Sequence, residues 1–208
     1  MSAVAREIYR SQIRGEQNVS MENRKTAPVG VFDSGVGGLT VAREISRQLP
    51  NENIVYFGDT ARVPYGSKSQ NTIIRFSEQI IRFLKTKDVK AIVIACNTAS
   101  ALALDAVRDE FDLPIMGVVI PGARAAVEAT KNRKVGVVGT DATVQSGMYT
   151  KVIHGMAPDI TVIEKACPLF VPLVEEGFKE HPVTGEIIEY YLESMRSTDI
   201  DAMILGCT

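Results

Sequence analysis

Two of the three cysteines in this chain have matching surroundings. Cys96 closes the run Asp88-Val-Lys-Ala-Ile-Val-Ile-Ala-Cys96, and Cys207 closes Asp199-Ile-Asp-Ala-Met-Ile-Leu-Gly-Cys207. The runs align without a gap at an offset of 111 residues, and a threonine follows each cysteine, as Thr98 and Thr208. Each run reads as a buried strand ending in a thiol. A helix is expected to start near Thr98 or Ala99, and the N–H groups of a helix N-terminus stabilise negative charge. The expectation for Cys96 is therefore a thiolate near neutral pH, a base or nucleophile. A free cysteine alone is most often buried and inert; the matched partner argues for chemistry. Two thiols on opposite sides of a substrate can invert a stereocentre without a cofactor. One removes a proton from carbon and the other returns one to the opposite face.

Asp33 sits at the end of another apolar run and could orient or exchange a proton with one thiol. It could equally cap a helix beginning near Val36. The loop Asp33-Ser-Gly-Val-Gly-Gly38 is glycine-rich but has neither GxGxxG spacing nor the GK[ST] of a phosphate loop. The loop Val63-Pro-Tyr-Gly-Ser67 could offer N–H groups to a carboxylate or be a plain turn. Leu102 stands where a Cys-x5-Arg phosphatase loop would need arginine. Cys167 reads as a packing residue, and His154 and His181 as surface or structural residues. Successive cysteines lie 71 and 40 residues apart, so no CxxC pair exists, and two histidines offer no zinc-ligand set.

These groups need a frame. Apolar runs at 29–32, 54–57, 91–95, 115–119, 135–138, 161–163 and 202–205 alternate with helix-like spacing, as in Ile73, Ile74, Phe76, Ile80, Ile81 and Leu84. That alternation predicts an α/β fold with mostly parallel sheets. Residues 186–196 place Ile187, Ile188, Tyr191 and Met195 on one core-facing helix side. A second repeat reinforces the first. Val29-Gly-Val-Phe-Asp33-Ser34 resembles Val135-Gly-Val-Val-Gly139-Thr140 at an offset of 106. The sequence thus predicts a mobile extension over 1–27 and two pseudo-symmetric α/β domains over 28–117 and 118–208. Ligands of open α/β sheets bind beyond the carboxyl ends of strands. Asp33, Ser34, Cys96, Asn97, Thr98, Thr140, Cys207 and Thr208 all fall there, which puts the site in the cleft between domains.

Composition narrows the function classes. The chain has 208 residues, 45% apolar and 23% charged, with 23 basic against 25 acidic side chains and a net charge of −2. Nothing in that balance points to nucleic acid or an anionic membrane. No apolar run approaches the ~18 residues of a membrane span. The polar first 27 residues lack the apolar stretch of a secretory signal, so the cytoplasm is the expected compartment.

Several motifs resemble the glutamate racemases of the cofactor-independent aspartate/glutamate racemase superfamily. They are Gly30-Val-Phe-Asp-Ser-Gly-Val-Gly-Gly38, Phe57-Gly-Asp-Thr-Ala-Arg-Val-Pro-Tyr-Gly66, Ala95-Cys-Asn-Thr-Ala99, Val138-Gly-Thr140, Ala166-Cys-Pro-Leu-Phe-Val-Pro-Leu-Val-Glu175 and Leu205-Gly-Cys-Thr208. The resemblance spans 28–208. It implies a two-base interconversion of L- and D-glutamate with neither cofactor nor metal, supplying D-glutamate for peptidoglycan. Cys96 would deprotonate D-glutamate with help from Asp33, and Cys207 would deprotonate L-glutamate. Glu175 matches an acidic residue on the second-cysteine side. Ser34, Asn97, Thr98, Thr140, Thr143 and Thr208 would hold the α-amino and α-carboxylate groups. The Pro64-Tyr65-Gly66 loop would hold the side-chain carboxylate through its backbone. The family also implies a homodimer. Family members continue past Cys-Thr with a histidine and a returning segment, whereas this chain stops at Thr208. The expectation is a fragment that is poorly stable or poorly active alone. Competing readings are an aspartate racemase, a ligand-binding module without turnover, and a phosphate-binding α/β protein using residues 33–38.

Overall fold

The computed structural model describes residues 25–208. The extension expected over 1–27 lies, except for its last three residues, outside the described residues. Seven strands form: β1 Val29–Asp33, β2 Ile54–Gly58, β3 Ala91–Ile94, β4 Ile115–Gly117, β5 Lys134–Gly139, β6 Thr161–Ala166 and β7 Ala202–Gly206. Each falls on one of the seven apolar runs. Two parallel sheets result, one ordered β2-β1-β3-β4 and the other β6-β5-β7. Among the described residues, nine complete α-helices connect them: α1 Leu39–Gln48, α2 Gln70–Lys85, α3 Asn97–Leu102, α4 Leu104–Glu110, α5 Val119–Ala129, α6 Asp141–Gln145, α7 Met148–Met156, α8 Phe170–Glu175 and α9 Pro182–Arg196.

The internal repeat reappears in the pairing. β1 lies against β3 with Val29 opposite Ala91, and β5 lies against β7 with Val135 opposite Ala202. Those are the residues the two sequence offsets equate. Asp88 and Asp199, which open the two repeats, both adopt positive φ, 56° and 54°. Aspartate is among the few side chains that tolerate this conformation.

The first sheet is covered on both faces, which suits continuous apolar strands, whereas Met203 and Leu205 of β7 leave one edge of the second exposed. Ile73, Ile80, Ile81 and Leu84 of α2 pack on one face of the first sheet with Ile92 and Ile94. Their spacing is one helical face, capped where Ser69 accepts from the Thr72 N–H. Ala42 and Ile45 of α1 cover the other face. In the second sheet, α5 and α7 cover Val135, Val137 and Ile204, while Tyr191 and Met195 of α9 pack near Val138.

Four local expectations shift. The run 115–119 ends as a strand at Gly117, and Val119 already begins α5; continuous apolarity hides a change from buried strand to buried helix. The first helix begins at Leu39 rather than near Val36. The last helix begins at Pro182, four residues before the expected start, because His181 caps it through Nδ1 and proline suits a first helical position. Ile188 of that helix is exposed rather than core-facing. Among the described residues no helix is long and apolar enough to cross a membrane.

Candidate active site

The strand ends of the two sheets meet at one cavity of about 350 Å³. Asp33, Ser34 and Val63 line it from the first sheet's side, and Thr140, Glu175 and Cys207 from the second's. Val171 and Val174 of α8 add an apolar wall.

Asp33 ends β1 and is 3% exposed. Its Oδ2 accepts from Gly38 N–H at 2.9 Å and Gly35 N–H at 3.4 Å, while Thr208 Oγ1 donates to its Oδ1 at 3.3 Å. Asp33 therefore organises the loop before α1 and reaches the second cysteine's neighbour. The glycines here are required by contact. A β-carbon at Gly38 would lie 2.6 Å from Asp33 Cβ, and one at Gly58 would lie 2.4 Å from Gly35 O. Tyr56 pins the same loop by donating to Gly35 O at 2.9 Å.

Cys96 is the N-cap of α3, one residue before the expected helix start, and its Sγ accepts from Ala99 N–H at 3.5 Å. Its thiol also donates to Ser34 Oγ at 3.6 Å. The expected low-pKa thiolate is not what this position produces. Burial pushes the thiol up to about 12, with the Asp33 charge adding to it; the contacts to Ala99 and Ser34 only partly offset this. A six-residue helix cannot outweigh complete desolvation. Cys207 belongs to an exposed residue, yet the protein around its sulfur is the larger cause pushing it up to about 11, and Asp33 is the second. Asp33 thus acts on both thiols, and the Cys207 charge is felt at Cys96. Cys167 is buried as expected and packs beside Val138, at the cavity's edge.

Behind the cavity a polar seam joins the halves. Thr98 Oγ1 lies 2.9 Å from Thr140 Oγ1 and 3.3 Å from Thr143 Oγ1, and the last two are 3.0 Å apart. Thr140 also caps α6 by accepting from Thr143 N–H. Gly66 lies directly on this seam, since a β-carbon there would stand 2.7 Å from Thr140 Cβ. Its carbonyl accepts from Ala142 N–H at 3.4 Å. Tyr65 is buried, with its hydroxyl donating to Asp59, which also pairs with Arg62 at 2.7 Å. Pro64 is exposed and outside the cavity lining. Glu175 ends α8 on the lining, and a β-carbon at Gly35 would lie 4.0 Å from its Oε1.

Six of the thirteen site residues singled out from the sequence line this cavity, and Cys96 is not one of them. They are Asp33, Ser34, Thr140, Glu175, Cys207 and Thr208; Cys96, Asn97, Thr98 and Thr143 are buried and outside the lining. Tyr56 and Tyr149 were not legible as site residues. Tyr149 donates to Asn97 Oδ1 at 2.6 Å from the opposite half. An aromatic on an apolar helix face reads as core, and no spacing signal marks its hydroxyl. Among the described residues no group of three or more His, Cys, Asp or Glu gathers as metal ligands.

Fold and site together define a two-sheet parallel α/β protein with a thiol at a strand end in each sheet and one carboxylate acting on both. The chain belongs to the Asp/Glu/hydantoin racemase family, whose sequence model matches residues 29–208. It is 50% identical over 189 residues to a glutamate racemase from a Nostoc species, an alignment covering 91% of this chain and 64% of that protein. The chain thus spans about two thirds of that relative's length. Among solved structures, a glutamate racemase isoform from Bacillus anthracis superposes with a TM-score of 0.85 at 44% identity, covering 88% of this chain and 69% of that one. The glutamate racemase from Francisella tularensis, solved in complex with D-glutamate, gives 0.81 at 43%, covering 88% and 68%.

Proposed function

We propose that this chain carries the reaction frame of a glutamate racemase, interconverting L- and D-glutamate by proton transfer at Cα. Residues 28–117 and 118–208 would be its two lobes; β4 ends at Gly117 and α5, from Val119, packs with the second sheet. The observation that carries the reading is the shared cavity, lined by Asp33 and Ser34 from the first sheet and by Cys207 and Thr208 from the second, with Thr208 Oγ1 donating to Asp33 Oδ1.

The chemistry balances within the site. A thiolate at Cys96 takes the Cα proton of D-glutamate and becomes a thiol. The opposite face of the carbanion takes a proton from the Cys207 thiol, which becomes the thiolate. L-glutamate reverses every step. Both thiols rest protonated at neutral pH, because burial raises them to about 12 and about 11. One must therefore lose a proton as substrate enters, and Asp33 is the carboxylate placed to exchange it. Glu175 would serve the Cys207 side. Ser34, Asn97, Thr98, Thr140, Thr143 and Thr208 would hold the α-amino and α-carboxylate groups, and the backbone of Pro64, Tyr65 and Gly66 the side-chain carboxylate. The product would feed peptidoglycan synthesis in the cytoplasm.

Proton NMR of L-glutamate in D2O, with no cofactor added, followed by chiral separation, tests this. Loss of the α-proton signal with D-glutamate appearing is expected, and Cys96→Ser or Cys207→Ser should abolish turnover. Glutamate binding without exchange would make the chain a binding module; exchange of aspartate in preference would move the substrate within the family.

A further inference from the structure

Tyr149 occupies the second position of α7, following a turn in which Gly147 adopts φ +60°. Its side chain is 2% exposed and packs among Val137, Ile153 and Ile204 in the second half's core. From there its hydroxyl crosses to the first half and donates to Asn97 Oδ1 at 2.6 Å. The same ring flanks the second thiol's strand, since a β-carbon at Gly206 would lie 3.3 Å from Tyr149 Cε2. The phenol is therefore anchored between the residue after Cys96 and the residue before Cys207.

That anchoring fixes an otherwise ambiguous group. A carboxamide presents its oxygen and its NH2 in opposite directions, an acceptor on one side and two donors on the other. With Oδ1 taken by the phenol, the NH2 of Asn97 faces away from Tyr149. Flipping the amide would turn its NH2 onto the phenol oxygen and take the Oδ1 acceptor from the buried phenol proton, which is unfavourable. Burial raises the phenol, with Glu164 and Cys207 adding to it, so it stays a donor throughout the neutral range.

We infer that Tyr149 is a positioning residue of the amino-acid site, holding Asn97 as a donor-only contact that selects the substrate's α-carboxylate and rejects its α-ammonium. The inference rests on the reading of this cavity as an amino-acid site. An amide NH2 donates well to a carboxylate and repels an ammonium, so its fixed direction sets which α-substituent occupies that side.

The test compares binding of L-glutamate and of its α-carboxamide, isoglutamine, to the full chain by calorimetry, with steady-state turnover beside it. In Tyr149→Phe, which keeps the ring, the glutamate Kd and KM should rise about tenfold while kcat changes less than about threefold. Preference for glutamate over the α-amide should shrink by a similar factor. Asn97→Asp is nearly isosteric and still accepts from Tyr149, but turns an acceptor toward substrate; it should lose more glutamate affinity than Asn97→Ala. In the Asn97→Ala background, Tyr149→Phe should change affinity by less than twofold. Wild-type protein that binds no glutamate would overturn the amino-acid reading itself. Wild-type binding with undiminished discrimination in Tyr149→Phe, or full affinity in Asn97→Asp, would overturn the role of Tyr149 alone.

Discussion

Burial comes first and Asp33 second in raising the two thiols, and the effect of Asp33 on them has a testable direction. Its charge raises both Cys96 and Cys207. Asp33→Asn keeps an oxygen for the Gly38 N–H but removes that charge. Alkylation of Cys207 by iodoacetamide at pH 8 should accelerate severalfold, while racemisation falls at least about a hundredfold if the carboxylate exchanges the proton. Slower alkylation in the variant would contradict the assignment. A second consequence concerns stability. Cys96 is raised from an ordinary 9.0 to about 12, so the folded state holds its proton more tightly than the unfolded chain does. The resulting stabilisation is complete below about pH 9 and disappears as pH climbs toward about 12. Roughly 2 kcal/mol should be lost between pH 9 and 11. Urea midpoints across that range should fall less steeply in Cys96→Ala than in the wild type. The position of this thiol was readable from the repeat, but its proton affinity was not. Proton affinity depends on how much protein surrounds the sulfur, and local sequence does not encode that.

At the scale of elements, the strand-to-helix turns carry the site, and their glycines mark where backbones touch. Gly66 is the clearest case, because a β-carbon there would meet Thr140 Cβ at 2.7 Å across the two halves. Gly66 is half-buried, but Tyr65 beside it packs in the first half's core, so Gly66→Ala should lower the unfolding midpoint by a few degrees. It should move the 63–67 turn off the hydroxyl seam and raise the glutamate KM by about tenfold or more. An unchanged KM would remove this turn from the substrate's surroundings. β1, β3 and β5 were legible because they are buried on both faces and read as almost uninterrupted apolar runs, whereas β7 was legible from its apolar sequence although Met203 and Leu205 are exposed. The start of α5 was not, since Val118 and Val119 continue that apolarity through the turn into a helix. The Thr98–Thr140–Thr143 seam was legible only as three separate hydroxyl residues, since nothing in their spacing brings residue 98 to residue 140.

Across the whole molecule, the cavity wall is shared between the two sheets. A ligand filling it would bind the folded state and not the unfolded chain. D-glutamate at a hundred times its Kd should therefore add about 2.7 kcal/mol to the free energy of unfolding. Chemical denaturation with and without the amino acid measures this, and no shift at saturating ligand would mean that the cavity does not hold it. The matching registers of β1 with β3 and β5 with β7 make the two thiols equivalent in the frame, but the frame is not symmetric in charge. The residue equated with Asp33 in the second half is Gly139, so no matching carboxylate stands at that strand end. For a reaction between mirror images this asymmetry has a strict limit. Enantiomers in water have equal free energy, so the equilibrium constant is one whatever the protein does. The lopsided charge can therefore give the two directions different turnover numbers and different half-saturation concentrations. Their quotient, kcat over KM, must remain the same for both hands.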